Sequence, residues 1–302
     1  MLLQKIRLPD VPMGSVIPKT IHQHYFPGEA ALPDRLRGVR DALRAANPDW
    51  SYKLWDTAAA EAFISGTYGD AVLQRFRRIS PEYYAARSDL LRYLTIYAEG
   101  GVYLDMKSTC DRPLDAAILP DDRFLLFHFP HFMEGARTPE VHRAYSAAHP
   151  DLIPHKNGEY VQWVIVAVPG HPYLRAVIQS VLRRIDTYTP FTHGVGRVPV
   201  VRMTGPIAYT HVIHRIRDLH PHSGPMSIAE RGFVFSGFGD QHAHEAVNPD
   251  GASHYARLGS PLLQSSALTQ FLTRAMNRTR HTPAIKRAWD RFHYRMSRLW
   301  PT

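Results

Sequence analysis

The sequence predicts an α/β domain with a largely parallel sheet, and three observations carry that reading. Short apolar runs alternate with longer segments of helical period from the N-terminus onward, the pattern of successive β-α-β units. The apolar run from Val161 to Val168 is typical of a central strand covered on both faces. The chain has 302 residues, 44% hydrophobic and 21% charged, which is long enough for a sizeable core and too apolar for disorder.

Taken in order, Thr20 to His24 reads as the first strand. Asp34 to Ala46 carries Leu36, Val39 and Leu43 at helical spacing, and Asn47-Pro48-Asp49 stops that helix before a second strand, Ser51 to Trp55. Ser80 is suited to cap a helix whose first position is Pro81, running through Leu90, Leu91 and Leu94 to a stop at Gly100-Gly101. Val102 to Asp105 follows as a strand. After the Val161 to Val168 run, a helix from about His171 carries Leu174, Val177, Ile178, Val181 and Ile185. Val198 to Met203 reads as a further strand. No repeat or low-complexity segment interrupts the chain, and the one compositional break lies near Gln264 to Gln270. The expected division is a catalytic domain over 1–269 and a basic helical tail over 270–302.

Composition narrows the function classes. Cys110 is the single cysteine, so no intramolecular disulfide forms, and the first thirty residues lack a basic segment followed by an apolar run. The expected setting is therefore a reducing one, the cytoplasm. No stretch approaches the ~20 apolar residues of a membrane span, so membrane contact is expected to be peripheral. The formal charge is +9, but from Gln270 to Thr302 eight basic residues face Asp290 alone, which puts +7 of it in the tail. The remainder is nearly neutral, and no nucleic-acid partner is expected. In the tail Ile285, Trp289, Phe292, Met296 and Leu299 draw one apolar stripe with Lys286, Arg287, Arg291, Arg295 and Arg298 between them. That pattern predicts an amphipathic helix lying on the anionic inner face of a cell membrane. A helix docking on the domain or on another subunit has the same spacing.

The chemistry concentrates in Arg87-Ser88-Asp89-Leu90-Leu91-Arg92-Tyr93 and in Gly100-Gly101-Val102-Tyr103-Leu104-Asp105-Met106-Lys107. Asp89 and Arg92, three apart, share a helix face and form a charged pair or jointly grip a ligand. Tyr103 and Asp105, two apart, point the same way at the C-terminal end of a strand, where open α/β sheets bind ligands. A carboxylate there holds a divalent cation or a ribose hydroxyl.

These residues resemble glycosyltransferase family 32, the glycosyltransferases with a DXD sugar-binding region. That family includes yeast initiating α-1,6-mannosyltransferases and bacterial capsular and lipopolysaccharide transferases, with the clostridial glucosylating toxins as distant relatives. The resemblance runs from about Ile17 to Leu263. It rests on Ile17-Pro18-Lys19-Thr20-Ile21-His22-Gln23, on Asn47-Pro48-Asp49-Trp50 leading to Leu54-Trp55-Asp56, on the Ser88-Asp89 to Asp105 block, and on Thr204-Gly205-Pro206. It implies a GT-A fold, a nucleotide-diphospho-sugar donor (UDP- or GDP-hexose), a glycan or lipid-linked saccharide acceptor, and retention of anomeric configuration in surface polysaccharide biosynthesis. By position it implies donor contacts from His22, Gln23, Tyr25, Asp89, Arg92, Tyr103, Asp105, Thr204, Gly205, Pro206 and His254. Tyr25 corresponds to an aromatic stacking on the nucleobase, Asp89 and Arg92 to contacts with sugar hydroxyls and phosphate, Tyr103 and Asp105 to the ribose and metal or diphosphate contacts, and His254 to a late metal or phosphate ligand, so that Asp105 and His254 are the implied ligands of a manganese or magnesium ion.

Lys107 departs from the family pattern, which ends in a second acid. Two readings stand: a cation is held by Asp105 and other groups, or the lysine neutralises the leaving diphosphate as a fixed charge. On either one Asp89, Arg92, Asp105 and Lys107 are the expected catalytic set. The altered motif also admits a non-catalytic nucleotide- or glycan-binding protein. Trp50, Tyr52 and Trp55 are expected in the core. His242-Ala243-His244-Glu245, and His128 with His131, lack the spacing of a zinc site, and a polar loop is expected over Gly237 to Asp250.

Overall fold

The computed structural model describes residues 6–128, 159–238 and 255–278, together with Ala288 and Phe292. In chain order its elements are β1 (Thr20–His24), α1 (Asp34–Ala45), β2 (Ser51–Trp55), α2 (Thr57–Tyr68), α3 (Asp70–Arg78), α4 (Tyr84–Glu99), β3 (Gly101–Leu104), β4 (Thr109–Cys110), α5 (Leu114–Ala117), β5 (Phe124–His128) and β6 (Val164–Ala167). Then come α6 (Pro172–Thr187), α7 (Pro190–His193), α8 (Arg197–Pro199), a π-helical turn (Val200–Thr204), α9 (Pro206–Ile216), β7 (Ser223–Ser227), β8 (Phe233–Val234) and α10 (Ala267–Arg278).

Six strands form one sheet in the order β2-β1-β3-β6-β5-β7. β1 pairs in parallel with both β2 and β3, and β5 pairs in parallel with β7. β6 lies between β3 and β5 and runs against both. Five strands thus point one way and one points back, which is the mostly parallel α/β sheet that the GT-A expectation requires. β4 and β8 make a small antiparallel ribbon beside it.

Strand periodicity sorts the core into two layers. Tyr103, Ile165, Ala167, Phe124 and Leu126 face the larger cluster, shared with α2, α3, α4, α6 and α9. Ile21, Val102, Leu104, Val164, Val166 and Leu125 face the other, closed by Leu43 of α1, Trp50, Leu114 and Phe233. α4 is buried at every position from Asp89 to Tyr97. A helix enclosed all round must satisfy its polar side chains inside the protein.

Two expected elements differ. α4 begins at Tyr84 instead of Pro81, because Ser80 is used elsewhere: its N–H donates to the Leu262 carbonyl at 2.8 Å and its carbonyl accepts from Tyr83 N at 2.9 Å. The strand expected at Val198 to Met203 is helical. Pro199 has no N–H for a sheet ladder, and the Gly205 N–H reaches back five residues to the Val200 carbonyl at 2.8 Å, the signature of a π turn. Gly205 is required there by space, since a Cβ would lie 2.8 Å from Val201 Cα.

At the end of α4, Gly101 takes φ +96° and lies where an added Cβ would sit 2.5 Å from the Thr20 carbonyl oxygen. Only glycine permits both the backbone angle and the approach of β3 to β1. Gly101→Ala is expected to lower the unfolding free energy by about 1–3 kcal/mol, read from urea denaturation. A midpoint equal to wild type would show that the two strands separate at no cost.

Candidate functional site

β1 and β3 end side by side, and Asp105 is the first residue beyond β3. Its N–H donates to the Trp163 carbonyl at 2.9 Å, and its own carbonyl accepts from Ser108 N at 2.8 Å and from Gln23 Nε2 at 3.2 Å. The carboxylate is thereby fixed at the C-terminal edge of the sheet, where ligands of open α/β sheets bind. Tyr103 donates to Asp105 Oδ1 at 2.6 Å, and Arg92 Nη1 stands 3.2 Å from the same oxygen. The side chain is 29% exposed, whereas Arg92 and Asp89 are enclosed.

Every nitrogen of the Arg92 guanidinium is engaged. Nε donates to the Ser88 carbonyl at 3.2 Å, Nη1 to the Gln162 carbonyl at 2.8 Å and Nη2 to Ser88 Oγ at 3.2 Å. Nη1 and Nη2 also pair with Asp105 and Asp89 respectively, each at 3.2 Å. The ring of Tyr103 lies 4.5 Å from the guanidinium carbon. Burial works against the charge, but Tyr103, Asp105 and Asp89 outweigh it and raise the arginine above its ordinary pKa. With three hydrogen bonds and two ion pairs on its guanidinium, Arg92 positions Asp105.

Asp89 is engaged through both oxygens. Oδ1 accepts from Gln162 Nε2 at 3.0 Å, and Oδ2 from Thr204 Oγ1 at 2.8 Å. Burial raises its pKa to about 6, against the opposing pull of Arg92, Thr204 and Gln162. Tyr93 closes the array, its single hydroxyl proton shared between Gln162 Oε1 and the Thr204 carbonyl, the latter at 2.8 Å. Asp89 therefore ties α4 to the residue pair ahead of β6 and to the π turn, with one hydrogen bond on each carboxylate oxygen.

A second chain of bonds reaches Asp105 through hydroxyls. Tyr103 has one proton and gives it to Asp105, so Ser88 Oγ, 3.1 Å away, donates to Tyr103. Ser88 in turn accepts from His24 Nδ1 at 3.1 Å, which must carry a proton. Burial, with Arg92 and His22 nearby, holds the His24 pKa well below 6.5, so the ring is neutral and Nε2 is a bare lone pair. Among the described residues that buried Nε2 has no hydrogen-bond partner. Donation runs in one direction, from His24 through Ser88 and Tyr103 to the carboxylate.

Lys107 lies on the other wall. Its Nζ sits 4.0 Å from the centroid of the Phe235 ring, and its carbonyl accepts from Gly237 N at 2.8 Å. Burial lowers the pKa of this amine while Asp105 pulls it up. Ser108 Oγ donates to the Phe235 carbonyl at 2.8 Å, so the 107–108 and 235–237 segments are laced together. Tyr255 feels the charges of Asp89 and Asp105, with burial the larger cause of its raised pKa. For a divalent cation the described residues fit poorly. They contain no group of three or more His, Cys, Asp or Glu able to hold a metal, and the one partly exposed carboxylate shares Oδ1 with Arg92. A second cation at that oxygen would meet like charge.

The structure thus gathers Asp89, Arg92, Tyr103, Asp105 and Thr204 into one array. Other expected residues serve the frame. His22 is fully buried, accepts from Trp55 Nε1 at 3.1 Å through Nδ1 and donates from Nε2 to the Gly100 carbonyl at 3.1 Å. Burial lowers its pKa to about 3, so it is neutral despite Glu99 at 3.9 Å. Gln23 is spent between the Asp105 carbonyl and Tyr52, whose OH donates to Gln23 Oε1 at 2.9 Å. Tyr25 packs with Leu32, Leu36 and Met106, and its OH donates to the Ala31 carbonyl at 3.1 Å. Gly205 and Pro206 open α9. His254, His242, His244 and His131 lie outside the described residues, as do Ile285, Trp289, Met296 and Leu299 of the tail.

His24 and Gln162 are positions of this array that the sequence reading did not single out, and Ser88 is one to which it gave no role. His24 had a signal, being two residues beyond His22 and so on the same strand face. Gln162 had another, as a lone amide at the head of an apolar run.

Residues 33–125 match the family described as glycosyltransferase sugar-binding region containing DXD motif. That stretch holds Asp89, Arg92, Tyr103, Asp105 and Lys107. The chain is 28% identical over 194 residues to inositol phosphoceramide mannosyltransferase 3 of Schizosaccharomyces pombe, covering 64% of this chain and 44% of that protein. It is 25% identical over 163 residues to the initiation-specific alpha-1,6-mannosyltransferase of Saccharomyces cerevisiae, covering 45% of this chain and 32% of that protein. The chain spans less than half the length of these curated relatives. Among solved structures, the PaToxG glycosyltransferase superposes with a TM-score of 0.46 at 13% identity, over 94% of this chain and 87% of that one.

Asp89→Ala would leave Arg92 short of a partner in the core and is expected to cost about 3–5 kcal/mol in urea denaturation. A loss under 1 kcal/mol would show that Asp105 alone sustains the arginine. The buried histidines set a pH dependence of stability. His22 and His171 fall to about 3 and about 4 from 6.5, so the unfolded chain binds their protons first and stability drops as pH falls below 6.5. Asp89 works the opposite way, gaining its proton in the folded state near 6, and offsets part of the loss. The urea midpoint is expected to fall between pH 6.5 and 4, and a flat profile would show that these rings are hydrated.

Proposed function

We propose that this chain, a relative of the glycosyltransferases with a DXD sugar-binding region, moves a hexose from a nucleotide-diphospho-sugar to a glycan or lipid-linked saccharide with retention of configuration. One observation carries the reading. Asp105 stands at the C-terminal edge of the sheet, held by Tyr103 and Arg92 and yet partly exposed, within the stretch that matches the sugar-binding region. Order on one side and access on the other suit a carboxylate that must meet a ligand in one orientation.

In this reading Asp105 orients the donor through a ribose or diphosphate contact, and Arg92, Tyr103 and Ser88 keep it in place. The acceptor hydroxyl attacks the anomeric carbon on the face from which the diphosphate leaves. The bond from that carbon to the β-phosphate oxygen breaks, a glycosidic bond forms, and the departing phosphate takes the acceptor proton. Lys107 supplies positive charge as the diphosphate separates, and His254 is proposed to assist. The relatives' names favour mannose as the hexose and a lipid-borne acceptor. We place the enzyme in the cytoplasm at the inner membrane face, in surface polysaccharide assembly, with 270–302 as its peripheral contact. The lone cysteine and the basic tail support that setting.

The test is release of nucleoside diphosphate from a panel of UDP- and GDP-hexoses, GDP-mannose included, with and without saccharide acceptors. Asp105→Asn is expected to reduce turnover by about 10²- to 10³-fold with an unchanged melting temperature. Full activity would remove Asp105 from the site. Transfer is expected to persist in EDTA, because Lys107 stands where the usual motif has its second acid, and Lys107→Asp is expected to inactivate or to create a manganese requirement. Abolition by EDTA in wild type would assign the charge role to a cation. Lys107 also motivates a second reading, a nucleotide- or glycan-binding protein, for which the panel would show binding without turnover.

A further inference from the structure

α10 is turned inside out. A helix on a soluble domain ordinarily lays its apolar stripe on the core. In α10, Leu268, Phe271 and Leu272 are 67%, 68% and 43% exposed, while Thr273 is 4% exposed. The three apolar residues follow one another at i, i+3 and i+4, so they form one stripe, and Ala275 at i+7 is exposed as well. Leu262 and Leu263, a few residues earlier, are buried in the main core. The chain therefore leaves the domain and at once presents apolar surface outward. Exposed apolar residues elsewhere, such as Val16, Leu119 and Leu219, stand apart in sequence, whereas this stripe is contiguous on one helix.

Two features identify the occupant. From Gln270 onward the chain carries eight basic residues and one acid, a charge that draws it to an anionic surface. The stripe itself is small. Three side chains fall well short of the roughly 800 Å² per partner of a stable protein interface, and pairing two copies would press their cationic segments together. A lipid surface demands neither a matching shape nor a minimum area, because insertion depth adjusts to the stripe.

We propose that α10 docks this protein on an anionic lipid surface by inserting Leu268, Phe271 and Leu272 while the basic residues after Gln270 meet the headgroups. The proposal deepens the membrane contact assigned above to the tail, naming inserting residues that begin ahead of it, and it stands whether or not the donor reading holds.

The experiment is flotation of the full chain with vesicles of phosphatidylcholine alone or mixed with phosphatidylglycerol. It compares wild type, the charge-neutral variant Leu268→Gln/Phe271→Gln/Leu272→Gln and the tail variant Lys286→Glu/Arg287→Glu/Arg291→Glu. Wild type is expected to float with anionic vesicles and not with neutral ones. The stripe variant is expected to lose at least about tenfold in recovery, with an unchanged thermal melt because its changes are at exposed positions. Equal recovery of the stripe variant and wild type overturns the inserting role, even where the tail variant fails to float. Failure of wild type to float overturns the docking altogether. A wild-type dimer in light scattering that the stripe variant converts to monomer overturns it in favour of self-association.

Discussion

Arg92 brings a positive charge into a helix that the core encloses on every side, and an uncompensated charge there would cost several kcal/mol. The neighbourhood is arranged around that demand. Asp89 and Asp105 supply charge, Ser88 and Gln162 supply oxygen atoms, and Tyr103 supplies the face of its ring. These groups come from three places in the fold, α4, the end of β3 and the approach to β6, so satisfying one side chain aligns all three and, through Asp89 and Thr204, the π turn. Of the two carboxylates, Asp105 is the one that retains access to solvent. Its geometry is consequently a by-product of a stability requirement, since the groups that hold this carboxylate also satisfy Arg92.

The reversed strand serves the same arrangement. Leu104 pairs with Val164, the first residue of β6, so the residues that precede β6 stand beside those that follow β3. That is why the Gln162 carbonyl meets Arg92 and the Trp163 carbonyl meets the Asp105 N–H. A parallel strand in that slot would have brought its far end to this edge, and Gln162 would have been on the opposite side of the domain.

Much of this was legible in the residues alone. β1 and β2 fall where the succession of short strand runs and helical-period segments and the Asn47-Pro48-Asp49 stop placed them, and the glycine pair ends α4 where φ > 0 is needed. The pairing of Asp89 with Arg92 followed from helical spacing. Direction was not legible, since an apolar run carries no mark of which way it will run beside its neighbours. The Val198 to Met203 segment misled because β-branched residues favour strands, while Pro199 and the tight approach at Gly205 decided for a helical turn. The bracing contacts of His22, Gln23 and Tyr25 were not legible for a different reason. Residues at the end of a central strand look alike in sequence whether they face a ligand or brace the backbone that does, and only partners such as Trp55, Tyr52 and Ala31 separate the two.

The π turn fixes a length as well as a contact. A five-residue reach within a helical segment amounts to one residue inserted into an α-helical path, and Thr204 meets Asp89 because of that insertion. Removing one residue between Pro199 and Thr204 would restore ordinary winding and rotate everything after it by about 100°, turning the buried side of α9 toward solvent and swinging the hydroxyl away from α4. Side chains within the turn can exchange for others of similar size, but their number cannot change. Homologous chains that keep this site should therefore vary in composition here and not in spacing, a constraint of register imposed on a stretch that would otherwise pass for a connecting loop.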